Sequence, residues 1–212
     1  MMKPIIFCDF DGTITAEETF VGMLKEFAPQ MAAEIMPLLY RREMTLREGV
    51  RKMLESIPSR CYSEIIEFSR TKKIRPGFVE FLDFLKTQGV PFVLVSGGVR
   101  IMVETVLGDL SQKIDGIYAV DLDISEEYFK VHSEFEADTE LVAKVKVIER
   151  YPNTEAIAIG DSVTDLNMAL AAPVVFARDR LADYLDEYQK PYFKWTDFFD
   201  IQAQLSQRWN LS

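Results

Sequence analysis

"IIFCDFDGTIT", residues 5–15, is an apolar run that ends in two carboxylates, Asp9 and Asp11, followed by a glycine and two threonines. A short continuous run rich in β-branched and aromatic residues is the pattern of a parallel strand covered on both faces. A charge inside such a core would need a partner. The two acids therefore belong at the strand's end, where open parallel sheets bind their ligands. For both to face one ligand, the chain must leave strand geometry at Phe10. Gly12 eases that turn.

Further runs of the same kind follow: "PFVLVSG" (91–97), "AIAIGD" (156–161) and "PVVFA" (173–177). Helical patterns lie between the runs, at about 76–88, 99–108, 138–151 and 163–171. Strands alternating with helices predict an α/β fold, with a central parallel sheet and helices on both faces. "GIYAVDLDISEEYFKVHSEF" (116–135) alternates on both sides of "SEE" and predicts a strand followed by a hairpin-like excursion. Residues 17–72 break the alternation with four helical patterns, the third N-capped by Thr45 with Glu48 in a capping box. The expected organisation is an α/β core from 1–15 plus 73–212. A helical insert, 16–72, sits above the first strand's carboxyl end.

Bulk composition narrows the function. Apolar residues make up 48% of the 212-residue chain, enough to fill a core. No apolar run approaches the ~20 residues of a membrane helix, and the N-terminus turns acidic too soon for a secretory signal. The net charge of −10 argues against a nucleic-acid or anionic-membrane surface. Cys8 and Cys61 have no metal or redox spacing, which predicts a reducing, cytoplasmic setting. The single histidine, His132, lies in an alternating strand. A hydrolase working through a histidine base has little to draw on. The expected partner is a small molecule, taken by a monomer or homodimer.

Four groups reach the strand ends. They are Asp9 with Asp11; Ser96, Gly97 and Gly98 in "VSGG"; Asp161 with Asp165 in "IGDSVTD"; and Lys144 in the helix before that last strand. Like charges ~4 Å apart repel by roughly 4 kcal/mol at an effective dielectric of ~20, so three acids together call for a cation. Carboxylate oxygens suit Mg²⁺, which takes one or two protein carboxylates plus a substrate phosphate. Lys144, Ser96 and the backbone N–H groups of "SGG" suit that phosphate, and the following helix N-terminus adds partial positive charge. An aspartate is ionised at neutral pH without any base, so one carboxylate of "DFD" can attack phosphorus. The other can protonate the leaving alcohol and then activate water.

These residues resemble the haloacid dehalogenase superfamily of phosphohydrolases. "DFDGT" (9–13) is similar to its first motif, Ser96 to its second, Lys144 (with Lys146 as competitor) to its third, and Gly160, Asp161 and Asp165 to its fourth. The resemblance implies a Rossmann-like core and an aspartyl-phosphate intermediate, with Asp9 as nucleophile and Asp11 as general acid/base. It implies Mg²⁺ held by Asp9, the Asp11 carbonyl and Asp161, with Asp165 supporting the metal's waters. The helical insert resembles the C1-type cap of the phosphoserine-phosphatase branch. Within that branch, "LREGVRKML", "KIRPGF" and "FARD" make nearly the whole chain similar to methionine-salvage phosphatases that act on 2-hydroxy-3-keto-5-methylthiopentenyl-1-phosphate. Their longer cysteine-rich segment before the third-motif lysine is absent here. Phosphoserine is the alternative substrate, because phosphoserine phosphatases have a glutamate where Glu18 stands. A phospho-accepting receiver module is the non-enzyme alternative, although receivers lack both the helical insert and a second acid like Asp11.

Other candidates have plainer readings beside the functional ones. Arg47 and Arg51 could meet a substrate anion or lie on a solvated helix face. Met23, Met31, Met36, Met44 and Met53 could line a thioether pocket or fill a helical core. Arg178 and Asp179 could border the site, and Asp179 could equally start a helix.

Overall fold

The computed structural model describes residues 2–41 and 43–210. The expected chain ends at Met1, Leu211 and Ser212, and Arg42 of the second helical pattern, lie outside the described residues. The strands are β1 (Lys3–Cys8), β2 (Phe92–Val99), β3 (Gly116–Asp123), β4 (Lys130–His132), β5 (Thr154–Gly160), β6 (Val174–Ala177) and β7 (Phe193–Lys194). The helices are α1 (Thr19–Phe27), α2 (Pro29–Tyr40), α3 (Leu46–Leu54), α4 (Tyr62–Arg70), α5 (Phe78–Gln88), α6 (Arg100–Leu107), α7 (Lys144–Glu149), α8 (Leu166–Ala171), α9 (Asp179–Glu187) and α10 (Phe198–Arg208).

The strands form one sheet in the order β4-β3-β2-β1-β5-β6-β7, parallel except for β4, which pairs antiparallel with β3. Alternate residues of β1 serve two cores. Ile5 and Phe7 face one, while Ile6 and Cys8 face the other. That two-sided burial is why β1 reads as an unbroken apolar run. Helix α5 shows the complementary pattern. Phe78, Phe81, Leu82 and Leu85 recur at helical spacing and are buried against Phe198, Ile201 and Leu205 of α10. Each such burial is worth roughly 1.5–3 kcal/mol.

Helices α1–α4 leave and rejoin the sheet at one place. Thr15 and Ile74 form an antiparallel bridge there, and the Ala16 N–H donates to the Lys73 carbonyl at 2.9 Å. The four helices bury Met23, Leu24, Ile35, Met53 and Ile65 in the same core as Ile5 and Phe7. The Thr45 hydroxyl accepts the Glu48 N–H at 3.2 Å, as expected of a cap. The Glu48 carboxylate returns to that hydroxyl at 3.3 Å, not to the Thr45 backbone. The segment also grips the β3–β4 hairpin. Ser59 N–H donates to the Glu127 carbonyl at 2.8 Å and Phe129 N–H to the Ile57 carbonyl at 3.1 Å.

Two expectations are corrected, and some elements were not foreseen. The helix over 138–151 is only Lys144–Glu149. Leu141, Val142, Ala143 and Lys144 are all buried, and an isolated helical turn spreads consecutive residues over different faces. The chain instead crosses the site in irregular form, with the Ala143 N–H on the Phe135 carbonyl at 2.9 Å. Strand β2 runs on through the glycines to Val99, with a register shift against β3 between Val95 and Val99. The irregularity falls on Ser96–Gly98. The short edge strand β7 and the C-terminal helix α10 were not among the expected elements.

Candidate active site

Because β1 lies between β2 and β5, Asp9, Ser96 and Asp161 come to one edge of the sheet. Asp9 follows the end of β1 and its N–H donates to the Ile159 carbonyl at 2.9 Å. The chain then turns, as anticipated. The Phe10 carbonyl accepts the N–H groups of Thr13, Ile14 and Thr15 at 3.3, 2.9 and 3.0 Å. Gly12 sits at φ 81°, and a Cβ there would lie 2.4 Å from Asp161 Oδ2. Both the backbone conformation and the space demand glycine. The Thr13 hydroxyl donates to Asp161 Oδ1 at 2.9 Å, which ties the first acidic turn to the fourth-motif acid.

Lys144 is 2% exposed and donates to Asp9 Oδ1 and Asp165 Oδ1, each at 2.5 Å. Lys146 lies away from the site on the Glu136 carbonyl, at 2.9 Å. The second oxygen of Asp165 accepts the N–H groups of Asp161 and Ser162 at 3.0 and 3.1 Å. A Cβ on Gly160 would strike the Asp165 carboxyl carbon at 2.6 Å, so the acid can fold back only over a glycine. Asp165 thus spends both oxygens on the protein. Asp9 Oδ2 and Asp161 Oδ2 accept no hydrogen bond from the described residues.

Asp9, Asp161 and Asp165 offer carboxylate oxygens within 4.8 Å of one another. Burial first, then the neighbouring acids, raise Asp161 to about 8. Burial and Asp165 raise Asp9 to about 7, against the lowering pull of Lys144. Burial would lower Lys144, but Asp165 and Asp9 outweigh it and raise it, so the lysine stays charged. Were all three acids ionised, one lysine would leave an excess of buried negative charge, and the raised values of Asp9 and Asp161 reflect it. A hard divalent cation on the two free oxygens fits that excess and this oxygen-only donor set.

Asp11 is held differently. Its Oδ1 accepts the N–H and hydroxyl of Thr19, and the Phe20 N–H at 2.9 Å. The carboxylate therefore caps α1 from outside the helix. Burial raises its pKa, and those hydrogen bonds lower it in part. Ser96 Oγ accepts the Gly98 N–H at 3.0 Å, and the Gly97 α-carbon faces open space.

A cavity of about 200 Å³ joins this cluster to the helices. One side is Asp9, Asp11, Ser96, Gly97, Gly98, Lys144 and Asp161. The other is apolar: Phe20, Leu24, Met36, Leu39, Val50 and Met53 from α1–α3, with Leu141 and Val142 from the crossing segment. Glu18 lines it too, as the exposed residue before α1 whose side chain makes no cap. Of the five methionines, Met36 and Met53 line the cavity and Met23 is core. Arg47 and Arg51 do not line it. Both pair with Glu136, at 2.7 Å each, and Arg51 also donates to the Val131 carbonyl. Arg178 pairs with Asp179 at 2.8 Å and Asp179 opens α9, and neither lines the cavity.

Sequence reasoning quoted Thr13 within "DFDGT" but gave it no role, and did not single out Glu140 or Arg180. Thr13 could have been found as the hydroxyl directly after the turn glycine. Glu140 lines the cavity and accepts from Asn167 at 3.1 Å, and burial raises its pKa. Arg180 reaches the cavity from α9 with its guanidinium over the Tyr40 ring at 5.6 Å. Neither carries a local motif, because both are brought in by the path of the chain.

Comparison with known proteins gives the same picture. A model of the haloacid dehalogenase-like hydrolase family matches residues 6–170. A Microcystis aeruginosa protein described as 2-hydroxy-3-keto-5-methylthiopentenyl-1-phosphate phosphatase is 55% identical, over 96% of this chain and 98% of that one. A Bacillus cereus protein of the same description is 36% identical over 94% of each chain. Among solved structures, a phosphoserine phosphatase captured as a phospho-aspartyl intermediate analogue superposes with TM-score 0.71 at 19% identity, covering 96% of this chain and 99% of that one. A phosphoserine phosphohydrolase-like protein from Francisella tularensis gives TM-score 0.72 at 22% identity, covering 96% and 99%. At those identities the structures speak for the fold. The family match runs from within β1 through most of α8 and takes in every residue of the acidic cluster, and on it the chain belongs to the haloacid dehalogenase-like hydrolases.

Proposed function

We propose that this phosphomonoesterase hydrolyses 2-hydroxy-3-keto-5-methylthiopentenyl-1-phosphate, with Mg²⁺ as cofactor, and that Asp9 carries the phosphoryl group between two half-reactions. The observation that carries the reading is the cavity, polar and acidic at the sheet edge and apolar toward the helices. A phosphate ester with a neutral methylthio tail matches both ends. The names of the 55% and 36% identical relatives support the same substrate.

The residues divide the work as follows. One oxygen of the Asp9 carboxylate attacks phosphorus, and the alcohol leaves from the opposite side. Asp11, raised by burial, gives that alcohol its proton. Asp11 is then a carboxylate and takes a proton from the water that attacks the aspartyl-phosphate, which frees phosphate and restores Asp9. Lys144 fixes Asp9 and Asp165 and opposes charge on the phosphoryl oxygens. The Ser96 hydroxyl and Gly97 N–H are placed to hold the phosphate. Asp9, the Asp11 carbonyl and Asp161 would hold Mg²⁺, with Asp165 behind them. The ion would neutralise the acids and polarise the phosphoryl group.

Residues 16–72 act as a cap over the site, hinged at the Thr15–Ile74 bridge. No helix among the described residues is long and apolar enough to cross a membrane. On this reading the enzyme is cytoplasmic and a monomer or homodimer. Glu18 on the cavity wall favours an amino-bearing alcohol such as phosphoserine, and that is the second reading. Phosphate release from both esters, with and without Mg²⁺, decides between them. The expected result is Mg²⁺-dependent release favouring the methylthio ester, reduced by about 10³-fold or more in Asp9→Asn. Preference for phosphoserine would overturn the substrate, and an unaffected Asp9→Asn enzyme would overturn the mechanism.

A further inference from the structure

Arg75 lies outside the acidic cluster and does not line the cavity. It stands where the chain returns from the helices to the sheet, half-buried, one residue after the Thr15–Ile74 bridge. Its side chain points back at the catalytic turn. Nε donates to the Thr13 carbonyl at 2.8 Å, and one terminal nitrogen donates to the Gly12 and Thr15 carbonyls at 2.6 and 3.2 Å. The other terminal nitrogen reaches the Thr196 carbonyl at 3.5 Å. The Arg75 backbone N–H donates to the Ile14 carbonyl at 2.8 Å. The guanidinium also lies 5.4 Å from the Trp195 ring, which Arg178 approaches from 5.2 Å.

Four successive carbonyls, Gly12 to Thr15, therefore depend on one residue. Nothing about an acidic site requires a cation on that side of the turn. The turn itself does require fixing. It carries Asp11 at its start, and Thr13 donates from it to Asp161. A planar, forked donor can hold several carbonyls in one geometry, whereas a lysine acts as a point charge. The same residue directly follows the Thr15–Ile74 bridge, so hinge and turn share one anchor.

We propose that Arg75 is a positioning residue that fixes the Gly12–Thr15 turn against the hinge and so aims Asp11 at the leaving oxygen and at the attacking water. The inference rests on the roles given to Asp9 and Asp11 above.

The test uses Arg75→Ala, Arg75→Lys and Arg178→Ala in the full chain with Mg²⁺ and p-nitrophenyl phosphate, whose leaving group needs no proton. Wild-type turnover reports on the function reading, and the ratio of variant to wild type reports on Arg75. A loss of about 100-fold in kcat is expected for Arg75→Ala, the scale of a ~1 Å misplacement, with little change in KM. Its first-turnover burst of nitrophenolate should persist while steady-state turnover slows, because only the water step then depends on Asp11. Millimolar guanidinium should recover part of kcat. Arg75→Lys should fall between Arg75→Ala and wild type. Arg178→Ala shares the Trp195 ring and the Thr196 carbonyl but not the turn, and should match wild type. Arg75→Ala turnover within threefold of wild type would overturn the proposal. So would burst and steady state lost together without rescue, or an equal loss in Arg178→Ala.

Discussion

The two walls of the cavity are held by opposite physics. At the sheet edge every group is fixed by short polar contacts. Lys144 joins Asp9 to Asp165, Asp165 folds back onto two backbone N–H groups, and Thr13 holds Asp161. On the helical side Leu24, Leu39, Val50 and Met53 are held by packing alone. Geometry at the edge can specify a reaction but says little about the alcohol attached to the phosphate. The helical wall cannot perform chemistry, yet it decides which tail is comfortable. Charge placement and apolar shape are thus separate properties of separate regions, and each can be altered without the other.

The largest effect should come from the centre of the polar wall. Lys144→Met should lower kcat by roughly 10²–10³-fold, the scale of removing a preorganised electrostatic partner. Lys144 lowers the Asp9 pKa, so its loss leaves the nucleophile protonated to higher pH. The acid limb of the pH–rate profile should move upward with it. A Lys144→Met enzyme with an unshifted limb and near-normal kcat would mean that the contacts of the edge do not govern its chemistry.

The second effect concerns the cation. Asp9 and Asp161 are raised to about 7 and about 8, far above the ~3.9 of an unfolded aspartate. The metal-free folded state therefore binds more protons than the unfolded chain. That contribution to stability is fully present below the unfolded pKa and is lost as pH rises through 7 to 8. Metal-free protein should melt at progressively lower temperature from about pH 5 to pH 8, by about 2–4 °C for each kcal/mol lost. Added Mg²⁺ should restore stability most at the alkaline end, and Asp161→Asn should flatten both trends. Melting curves indifferent to pH and Mg²⁺ across that window would count against a cation at these oxygens.

Smaller still is the effect expected on the apolar wall. Met36→Gln keeps the length of the side chain and adds an amide. It should lower kcat/KM for the methylthio ester by about tenfold, within the usual range for a pocket contact, and leave p-nitrophenyl phosphate nearly unchanged. Equal losses on both esters would show that the helical wall serves the reaction generally and not the tail.

The same division explains what the sequence disclosed. The polar edge was legible because buried parallel strands are written as apolar runs, and a run that stops at "DFD" or "GD" marks its own active end. Thr45 was legible as a cap for a similarly local reason. The segment 138–151 misled because its apolar spacing suits a helix, whereas burying Leu141 to Lys144 in succession is a demand of the tertiary fold. Glu140 and Arg180 were silent because their importance lies in contacts far away in the chain, and Arg75, although inside "KIRPGF", gave no sign of its contacts to the distant turn. Lys146, as basic as Lys144 and two residues on, could be separated from it only by where α7 begins.

The smallest expected effect asks whether the helical wall's stability is separable from the chemistry beneath it. Thr45 caps α3, the helix that supplies Val50 and Met53, but it does not line the cavity. Thr45→Ala leaves the Glu48 N–H without its acceptor, at a cost of about 1 kcal/mol. In a chain of this size that corresponds to a melting temperature lower by about 2–4 °C. Because α3 is also anchored by Arg51 and Arg47 on Glu136, fraying at its first turn should stop short of Val50. Turnover at a temperature well below melting should then equal wild type for both esters. A fall in kcat on p-nitrophenyl phosphate would mean that the order of α3 reaches Asp11 through the shared packing of α1 and α2, and that the two walls are not independent.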